Sequence, residues 1–486
     1  MALADIDTFV IVMLENRSFD HMLGYLSLNE TPNPMPVEGL RSDQAWRDSY
    51  RNEHDGTLYG LKRLTAAQMI DDPAHSAAPI AIQVGKRPAG PGPTLMGGFV
   101  HSYAIYWHPE KRKDNKPAPD DLGAVMGYYT AEEVPSFDFF ARNYCVCDHW
   151  FAPLPLGTQP NRLLAMAGES KLIENEPFPM RPHELVYEWL KARKVEWCVY
   201  QWGGYFSFFT LMLKWLPTIV SDLTLSGLGI GGTRFRRYKR FAKAWASAGK
   251  MPNVIFIEPE YSDGPRSKPN DDHPPLGVAP GQAMLKDLYA VLTGNAERWA
   301  KTLLIVTYDE HGGFFDHVPP LPIPTVIDGR LLPTTGLRVP ALLISPHVAA
   351  GSVFSGALDH SSILQLLDDR FAGGRGYSRA VKGREPHLAR IADALLDAPR
   401  AGPPIPFPTS VTARLAAAAR AAVAPLASWI APVTPDAPDT PNALAMDMAA
   451  RKLAEDHGEL LAQPGWEQVR AYLAANQPPE PGPMTE

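Results

Sequence analysis

Four short apolar runs, each followed by polar residues, recur along the chain. They are Thr8–Leu14, Asn253–Ile257, Thr302–Thr307 and Ala341–Ser345. Apolar runs of this length, without regular polar alternation, predict strands that are buried on both faces. Such strands belong to parallel sheets covered by helices, and Gly281–Leu292 has the apolar spacing of a crossover helix. The pattern therefore predicts an α/β fold with a mostly parallel central sheet.

The composition changes to proline and alanine in the last fifth of the chain. The proline-rich stretch Pro403–Pro408 leads into an alanine-rich stretch, Ala416–Ile430, which predicts a helix. We therefore expect a catalytic domain over residues 1–400 and a helical C-terminal extension over residues 401–486. The alanine-rich helix is too short to span a bilayer, and packing onto the catalytic domain is the favoured role.

The bulk composition is typical of a soluble enzyme with a large core. Lysine and arginine number 46 against 53 aspartates and glutamates, which gives a formal charge of −7. This balance argues against a nucleic-acid partner, because binding to a phosphate backbone needs a clustered basic surface. The three cysteines, Cys145, Cys147 and Cys198, form no CxxC pair or zinc-ligand spacing, so they predict reduced, packed thiols.

The N-terminal apolar run predicts neither a cleaved export signal nor a membrane span. Phe9–Leu14 is followed at once by the acidic Glu15, and no basic segment precedes it. We expect a protein without a transmembrane segment that is cytoplasmic or exported without a cleaved signal peptide.

Acidic residues follow three of the apolar runs. Glu15 and Asn16 follow the first run, Glu258 follows the second, and Asp309 and Glu310 follow the third. In open α/β sheets ligands bind outside the carboxyl ends of the strands, where these residues would lie. Carboxylate and amide oxygens suit a hard or borderline divalent cation. From these residues alone, helix capping or pairing with arginines explains the pattern as well as a metal site does.

Three longer motifs extend this pattern over most of residues 8–370. The first is Glu15–His21 (ENRSFDH), and the second is Asp148–Arg162 (DHWFAPLPLGTQPNR). The third joins Asn270–His273 (NDDH) with Thr307–Pro320 (TYDEHGGFFDHVPP), and Asp359–Ser362 (DHSS) continues the order. Together they resemble the phosphoesterase family of bacterial phospholipases C, acid phosphatases and plant non-specific phospholipases C, within the alkaline-phosphatase-like superfamily.

The resemblance implies a three-layer α/β/α sandwich that holds one catalytic divalent metal ion, which would be Ca, Mg, Mn or Zn. It implies a nucleophile at Thr158, which also touches the metal. It further implies phosphoryl or leaving-group contacts for three histidines, His101, His273 and His317. The implied metal ligands are Glu15, Asn16, Thr158, Asp309 and Glu310.

The local sequence around Thr158 supports a nucleophile independently. Thr158 follows Gly157 and begins an apolar helix, so a bound phosphoryl group would meet backbone N–H groups and the positive end of the helix dipole. Coordination to a cation would also lower the pKa of its hydroxyl. Taken alone, a plain N-cap is the simpler interpretation of Thr158, and the surrounding motif reverses that preference.

The remaining histidines receive more modest expectations. His21, His149, His311 and His360 lie within the motifs, and we expect hydrogen bonds that hold ligand carboxylates rather than direct roles. His75 is among seven histidines that carry no motif, and these are expected at the surface or in the core.

Several functions compete within these expectations. A sulfatase is disfavoured because oxidation of Thr158 would give a ketone rather than the required aldehyde. We expect phospholipase C-type cleavage of a phosphodiester, with a phospholipid substrate and contact with a membrane surface. The alternative is an acid phosphatase that cleaves monoesters, and a catalytically inactive binding module is a third reading. Aromatic residues from Tyr200 to Phe209 would form either a lipid-accommodating rim or, more simply, part of the core.

Overall fold

The computed structural model describes residues 2–65, 68, 70–85, 95–107, 119–203, 207–229, 233–261 and 269–409, with scattered residues between 448 and 462. The predicted helix at Ala416–Ile430 lies outside these residues. The C-terminal extension and its boundary at residue 401 therefore stay predictions.

The described residues form one eight-stranded sheet and four two-stranded sheets. The large sheet has the order β15-β6-β14-β11-β1-β10-β8-β9, and the small sheets pair β2 with β3, β4 with β5, β7 with β16 and β12 with β13. The strands are β1 (Thr8–Leu14), β2 (Asn52–His54), β3 (Thr57–Tyr59), β4 (Lys62–Arg63), β5 (Gly127–Tyr128), β6 (Cys145–Cys147), β7 (Trp150–Phe151), β8 (Trp197–Gln201), β9 (Phe235–Arg237), β10 (Val254–Glu258), β11 (Thr302–Tyr308), β12 (Thr325–Ile327), β13 (Arg330–Leu332), β14 (Ala341–Ile344), β15 (Ser352–Phe354) and β16 (Leu358–Asp359).

Helices connect these strands and cover the sheet. The α-helices are α1 (Phe19–Met22), α2 (Gln44–Ser49), α3 (Ala77–Gln83), α4 (Phe99–Trp107), α5 (Pro135–Asn143), α6 (Thr158–Ala167), α7 (Val186–Ala192), α8 (Leu216–Leu228), α9 (Phe241–Ala246), α10 (Ala279–Thr293), α11 (Ala296–Trp299), α12 (Ser361–Ala372) and α13 (Arg379–Arg384). Short 3₁₀ helices span Ala2–Asp5, Gly24–Ser27, Leu122–Met126, Phe208–Leu211, Tyr238–Arg240, Glu385–His387 and Ile391–Ala394.

The four predicted strands are all present as β1, β10, β11 and β14, and the predicted crossover helix is α10. The strands β11, β1, β10, β8 and β9 run parallel to one another. One expectation is wrong, because β14 pairs antiparallel with β11. Its run of four buried apolar residues carries no directional signal, since a fully buried strand looks the same in either orientation.

Helices cover both faces of the sheet, which confirms the α/β sandwich. The ring of Phe9 on β1 meets Phe371 of α12, with 5.7 Å between centroids. On β11, Tyr308 pairs in register with Leu14 and meets Phe137 of α5 at 6.0 Å. Residues 9 and 14 of one strand point to opposite faces. Helices α12 and α5 therefore lie on opposite sides, with α6 packed beside α12 and α10 beside α5.

Residues 405 and 407 contact helices α5 and α10. Phe407 stacks on Phe139 of α5 with 3.9 Å between ring centroids, and Tyr289 donates a hydrogen bond to the carbonyl of Ile405 at 2.7 Å. The three cysteines are buried and unbonded, as predicted. Within the described residues, none of the helices combines the length and apolarity needed to cross a membrane.

Candidate active site

Two loops at the carboxyl ends of β1 and β11 bring the predicted ligands together. The backbone N–H of Asn16 donates to Asp309 Oδ1 at 3.1 Å, and the N–H of Glu310 donates to the same oxygen at 2.8 Å. Asn16 has a φ of 62°, and Gly312 lies so close that an added Cβ would be 2.1 Å from the Asn16 carbonyl oxygen. The close approach of the two loops therefore requires glycine at position 312, the first glycine of the DEHGG motif.

Arg162 links the two loops to helix α6. Its Nε lies 3.1 Å from Asp309 Oδ2, and one Nη atom lies 3.2 Å from Glu15 Oε1. Burial alone would lower the pKa of Arg162, but Tyr261, Asp309 and Glu15 hold it above its ordinary value. The guanidinium is thus a permanent positive charge between two predicted metal ligands.

The side-chain amide of Asn16 makes no hydrogen bond through either of its polar atoms. Asn16 is fully buried, and neither Oδ1 nor Nδ2 has a hydrogen-bond partner. An unsatisfied buried amide costs free energy, so a group that binds to Oδ1 would be stabilising. The amide oxygen is a suitable ligand for a hard cation.

The charges around Asn16 are also unbalanced. Glu15, Asp309 and Glu310 are three buried carboxylates; Arg162 pairs with the first two, and His75 lies 3.6 Å from the third. Burial raises the pKa of Asp309 despite the lowering effect of Arg162. The residues therefore fit a divalent cation, although these three carboxylates do not form a compact ligand trio among the described residues.

His75, which belongs to none of the motifs, lies beside Glu310. Its Nε2 is 3.6 Å from Glu310 Oε1, and its Nδ1 is 2.7 Å from the carbonyl of Pro73, to which it donates. Burial lowers the pKa of His75, but Glu310 and Asp72 raise it to about 9. The pair formed by His75 and Glu310 was missed because the short DPAH sequence matched no motif used above.

Two motif histidines contact the ligand loops, one beside a carboxylate as expected and the other at a backbone carbonyl. His311 Nδ1 is 3.3 Å from Glu310 Oε2, and its Nε2 is 2.8 Å from Gln83 Oε1. His360 accepts a hydrogen bond from the indole of Trp150 at Nδ1, so its Nε2–H donates to the carbonyl of Asp309 at 2.7 Å. Burial lowers the pKa of His360 to about 4, which keeps this ring neutral.

The other two motif histidines serve different neighbours. His21 Nδ1 donates to the Gly127 carbonyl at 2.8 Å, and Arg17 lies at its Nε2. His149 pairs with Asp148 and Glu38 at 3.0 and 2.8 Å. None of these four contacts involves a predicted metal ligand.

Thr158 is the first residue of α6 and is buried. Asn161 fixes the loop before it, accepting from the N–H of Leu154 and donating to the carbonyl of Leu156. Fewer backbone donors are available there than the sequence suggested, because the N–H of Gln159 is taken by Asn175 Oδ1 at 2.9 Å and Pro160 has none. Arg162 lies one turn further along the same helix, so α6 carries Thr158 towards the ligand loops.

The NDDH loop leans directly on the first motif. The N–H of Glu15 donates to the carbonyl of Asp271 at 2.8 Å, and Arg17 Nε donates to the carbonyl of Asp272 at 2.9 Å. His273 is buried, and its N–H donates to Asp271 Oδ1 at 3.2 Å. The loop thus lies against Glu15.

His101 lies on α4 with an exposed side chain, and its Nδ1 is 3.2 Å from His54 Nδ1. The structure gives no contact between His101 and the predicted metal ligands. Its role stays a prediction.

His317 belongs to a second buried charge cluster, which consists of Asp20, Asp316, His317 and Arg338. Its Nδ1 is 2.6 Å from Asp20 Oδ2, while Arg338 lies 3.1 Å from Asp20 Oδ1 and 2.9 Å from Asp316 Oδ1. In this cluster Asp20, Asp316 and His317 place ligand-type atoms within 4.8 Å of one another. Arg338 contacts both carboxylates of this cluster, much as Arg162 contacts Glu15 and Asp309 beside Asn16.

A small cavity of about 40 Å³ lies beside Arg162, between β1, β10 and the helices α6 and α12. Glu258 lines it, accepting from Ser207 Oγ at 2.8 Å and from the N–H of Phe208 at 2.9 Å. Burial raises the pKa of Glu258 to about 7. Phe208 and Phe209 are buried, so these two aromatic residues belong to the core rather than to an exposed rim.

Comparison with known proteins gives a consistent answer. The family model described as the phosphoesterase family matches residues 6–372. Non-specific phospholipase C3 of Arabidopsis thaliana is 30% identical over 84% of this chain and 77% of its own length. Non-specific phospholipase C5 of the same plant is 31% identical over 74% of this chain and 68% of its own length. Phospholipase C A of Mycobacterium tuberculosis is 28% identical over 76% and 73%.

Solved structures align more weakly. A protein of the alkaline phosphatase superfamily from Vibrio parahaemolyticus gives a TM-score of 0.32 at 14% identity, over 63% of this chain and 83% of its own. Murine ectonucleotide pyrophosphatase/phosphodiesterase 5 gives a TM-score of 0.33 at 12% identity, over 53% of this chain and 95% of its own. The description of the fold therefore rests on the sheet and helices of this chain.

Proposed function

The chain belongs to the phosphoesterase family and is a hydrolase of phosphoester bonds, and we propose that it is a metal-dependent phospholipase C acting through Thr158. The substrate would be a phospholipid, which is cleaved to diacylglycerol and a phosphorylated headgroup. The plant and mycobacterial relatives, which are named phospholipases C, support this choice over a monoesterase.

One observation carries the proposal. The unpaired, fully buried Asn16 amide lies at the edge where Arg162 bridges Glu15 and Asp309, and Arg162 follows Thr158 by one helical turn. Arg162 therefore links the helix that carries the proposed nucleophile to two of the proposed cation ligands.

The ligands of the proposed metal are Glu15, Asn16, Thr158, Asp309 and Glu310. A divalent cation held there would lower the pKa of the Thr158 hydroxyl and offset charge on the phosphoryl oxygens. Glu310 Oε2 accepts a hydrogen bond from the N–H of Gly312 at 2.8 Å and lies 3.3 Å from His311 Nδ1. These contacts orient the carboxylate.

In the proposed reaction, the Thr158 hydroxyl gives up its proton to solvent water, its oxygen attacks phosphorus, and the bond from phosphorus to the leaving oxygen breaks. A histidine donates a proton to that oxygen, which leaves as the hydroxyl of diacylglycerol. Water then attacks the phosphothreonine, and the headgroup departs as its phosphomonoester while the Thr158 oxygen regains a proton.

Three predicted histidines, His101, His273 and His317, are candidates for this proton donation, and the structure adds His75. Asp20 orients His317 through Nδ1, and Nε2 of the same ring lies 4.0 Å from Glu38 Oε1. His75 is oriented in the same way by the Pro73 carbonyl, and its Nε2 faces Glu310.

A pair of nitrophenyl substrates tests the proposal. We expect the purified protein to hydrolyse a nitrophenyl phosphodiester and a phosphatidylcholine, to lose activity in chelator and to regain it with a divalent cation. Faster turnover of nitrophenyl phosphate than of the diester would favour the acid phosphatase alternative. Inactivity towards both substrates with every divalent cation would support a binding module.

A further inference from the structure

The hairpin formed by β12 and β13 exposes two large aliphatic side chains on one face. Val326 is 66% exposed and Leu331 is 61% exposed, and the two residues are direct cross-strand partners. Side chains of directly paired residues point to the same face of a sheet. Val326 and Leu331 therefore form one continuous apolar patch rather than two scattered exposed residues.

The hairpin is closed tightly and holds this patch in a fixed orientation. Its turn residues Asp328 and Gly329 have φ values of 51° and 75°, as a two-residue type I′ turn requires. Pro324 and Pro333 flank the strands and are exposed. The charged residues of the hairpin, Asp328 and Arg330, lie at the turn and have opposite signs.

The opposite face of the hairpin packs against the segment that leads to Thr158. Ile327 and Leu332 are buried in one small apolar cluster with Leu154, Leu156 and Leu164. Ala77, two residues after His75, packs against the same cluster.

A buried arginine fastens the hairpin to the same segment. Arg384 donates to Thr325 Oγ1 at 2.7 Å and to the carbonyl of Pro153 at 3.1 Å, and it pairs with Asp359 at 2.5 Å. The exposed patch is therefore attached rigidly to the loop before α6.

We propose that Val326 and Leu331 dock on the surface of a phospholipid bilayer and so bring the site to its substrate. The inference rests on the proposed function, because a lipid with two acyl chains is presented by a bilayer. An aliphatic pair on a rigid hairpin next to the nucleophile loop suits shallow insertion among headgroups and upper acyl chains. The low net charge of the hairpin favours a zwitterionic lipid surface over an anionic one, because binding to anionic lipids requires a basic patch.

The test compares Val326→Ser/Leu331→Ser with the control Leu228→Ser, which changes a side chain that is 61% exposed at the end of α8. Binding to phosphatidylcholine vesicles is measured by co-sedimentation, and turnover is measured on the vesicles and on a soluble nitrophenyl phosphodiester. We expect the hairpin variant to bind vesicles at least about tenfold more weakly, since each buried aliphatic side chain is worth roughly a factor of ten. Turnover of vesicles should fall with binding, while turnover of the soluble diester and the control variant should stay within about twofold of wild type.

Unchanged vesicle binding by the hairpin variant would overturn the inference, as would failure of the wild type to bind vesicles. A dimeric wild type that becomes monomeric in the hairpin variant would assign the patch to a second copy of the chain and overturn it too. Failure of the proposed function looks different, since wild type would then cleave neither the soluble diester nor the lipid.

A labelling experiment keeps the inference testable if the double variant folds poorly. Leu331→Cys carries an environment-sensitive nitrobenzoxadiazole label, and Leu228→Cys carries the same label as the control. The three native cysteines are buried, which favours labelling at the new site. We expect a blue shift with vesicles for the label at position 331 alone, and equal spectra at both positions would contradict docking through the hairpin.

Discussion

Arg162 Nε lies 3.1 Å from Asp309 Oδ2, so the helix that begins at Thr158 is bound directly to a predicted metal ligand. The same guanidinium reaches Glu15 at 3.2 Å. A single arginine thereby sets the separation of the two carboxylates and the position of α6.

Replacing Arg162 should destabilise the metal-free protein strongly. Arg162→Gln leaves Glu15 and Asp309 buried without their cation, which costs about 3–5 kcal/mol for a broken buried pair. A divalent cation should restore more of the free energy of unfolding in the variant than in wild type. Denaturant unfolding with and without the cation measures both quantities.

A surface arginine provides the control for that experiment. Arg142 pairs with Asp138 at 3.4 Å, and Arg142→Gln should change the free energy of unfolding by about 1 kcal/mol or less. Equal losses in the Arg162 and Arg142 variants would mean that the bridge between Glu15 and Asp309 is energetically unimportant.

Removing a carboxylate should lower metal content and turnover together. Asp309→Asn and Glu15→Gln each withdraw one negative charge from the proposed site, so cation affinity should fall about 10- to 100-fold or more. Elemental analysis and turnover of the nitrophenyl phosphodiester measure the effects. Glu184→Gln, at an exposed surface position, is the matched control. Wild-type metal content in either variant would identify that carboxylate as structural.

Half of the strands in the large sheet were predictable because a buried apolar run is a local signal, whereas β6, β8, β9 and β15 were not predicted. Buried apolar runs located β1, β10, β11 and β14, and the polar residues after the first three located the edge where the candidate site lies. The antiparallel direction of β14 was not predictable, since direction is set by the connections between strands rather than by the run itself.

The site was predictable where a motif is contiguous and unpredictable where packing makes the contact. The DEHGG and ENR segments do meet, as their order suggested. The contact between His75 and Glu310 spans more than two hundred residues and depends on how α3 packs, so no local pattern revealed it. Arg162 belongs to the second motif, but its ion pairs with Glu15 and Asp309 depend on the folded arrangement of the two loops.

A pair of histidine variants should distinguish the histidine that the structure adds from one that the sequence nominated. His75→Gln should lower kcat on the nitrophenyl phosphodiester by about 10²-fold or more, the range typical of general acid–base groups. His101→Gln should have a smaller effect, because His101 is exposed and contacts His54. Steady-state kinetics on both variants decides, and a larger loss for His101→Gln would reverse the assignment.

The stability of the protein should depend on pH through Glu258. Burial raises its pKa from 4.5 to about 7, so the folded state holds this proton more tightly than the unfolded chain does. The stabilisation of the folded state by protonated Glu258 is therefore fully present below pH 4.5 and is lost as the pH rises to about 7. Relative to Glu258→Gln, which does not titrate, wild type should lose roughly 3 kcal/mol across this window.

Denaturant unfolding of wild type and Glu258→Gln at several pH values between 4.5 and 8 measures that difference. A difference in free energy of unfolding that does not change with pH would show that Glu258 is charged in the folded protein throughout the range.

The most direct test of the central claim is the turnover of Thr158→Ala on the nitrophenyl phosphodiester, with Thr158→Ser beside it. Removal of a covalent nucleophile costs up to about a million-fold in other hydrolases, so we expect a loss of several orders of magnitude with the fold and most of the metal retained. Thr158→Ser keeps the hydroxyl and should keep substantial activity. Turnover of Thr158→Ala within about tenfold of wild type, in a preparation free of contaminating phosphoesterase, would contradict the account and leave Thr158 as a helix N-terminal residue without a covalent role.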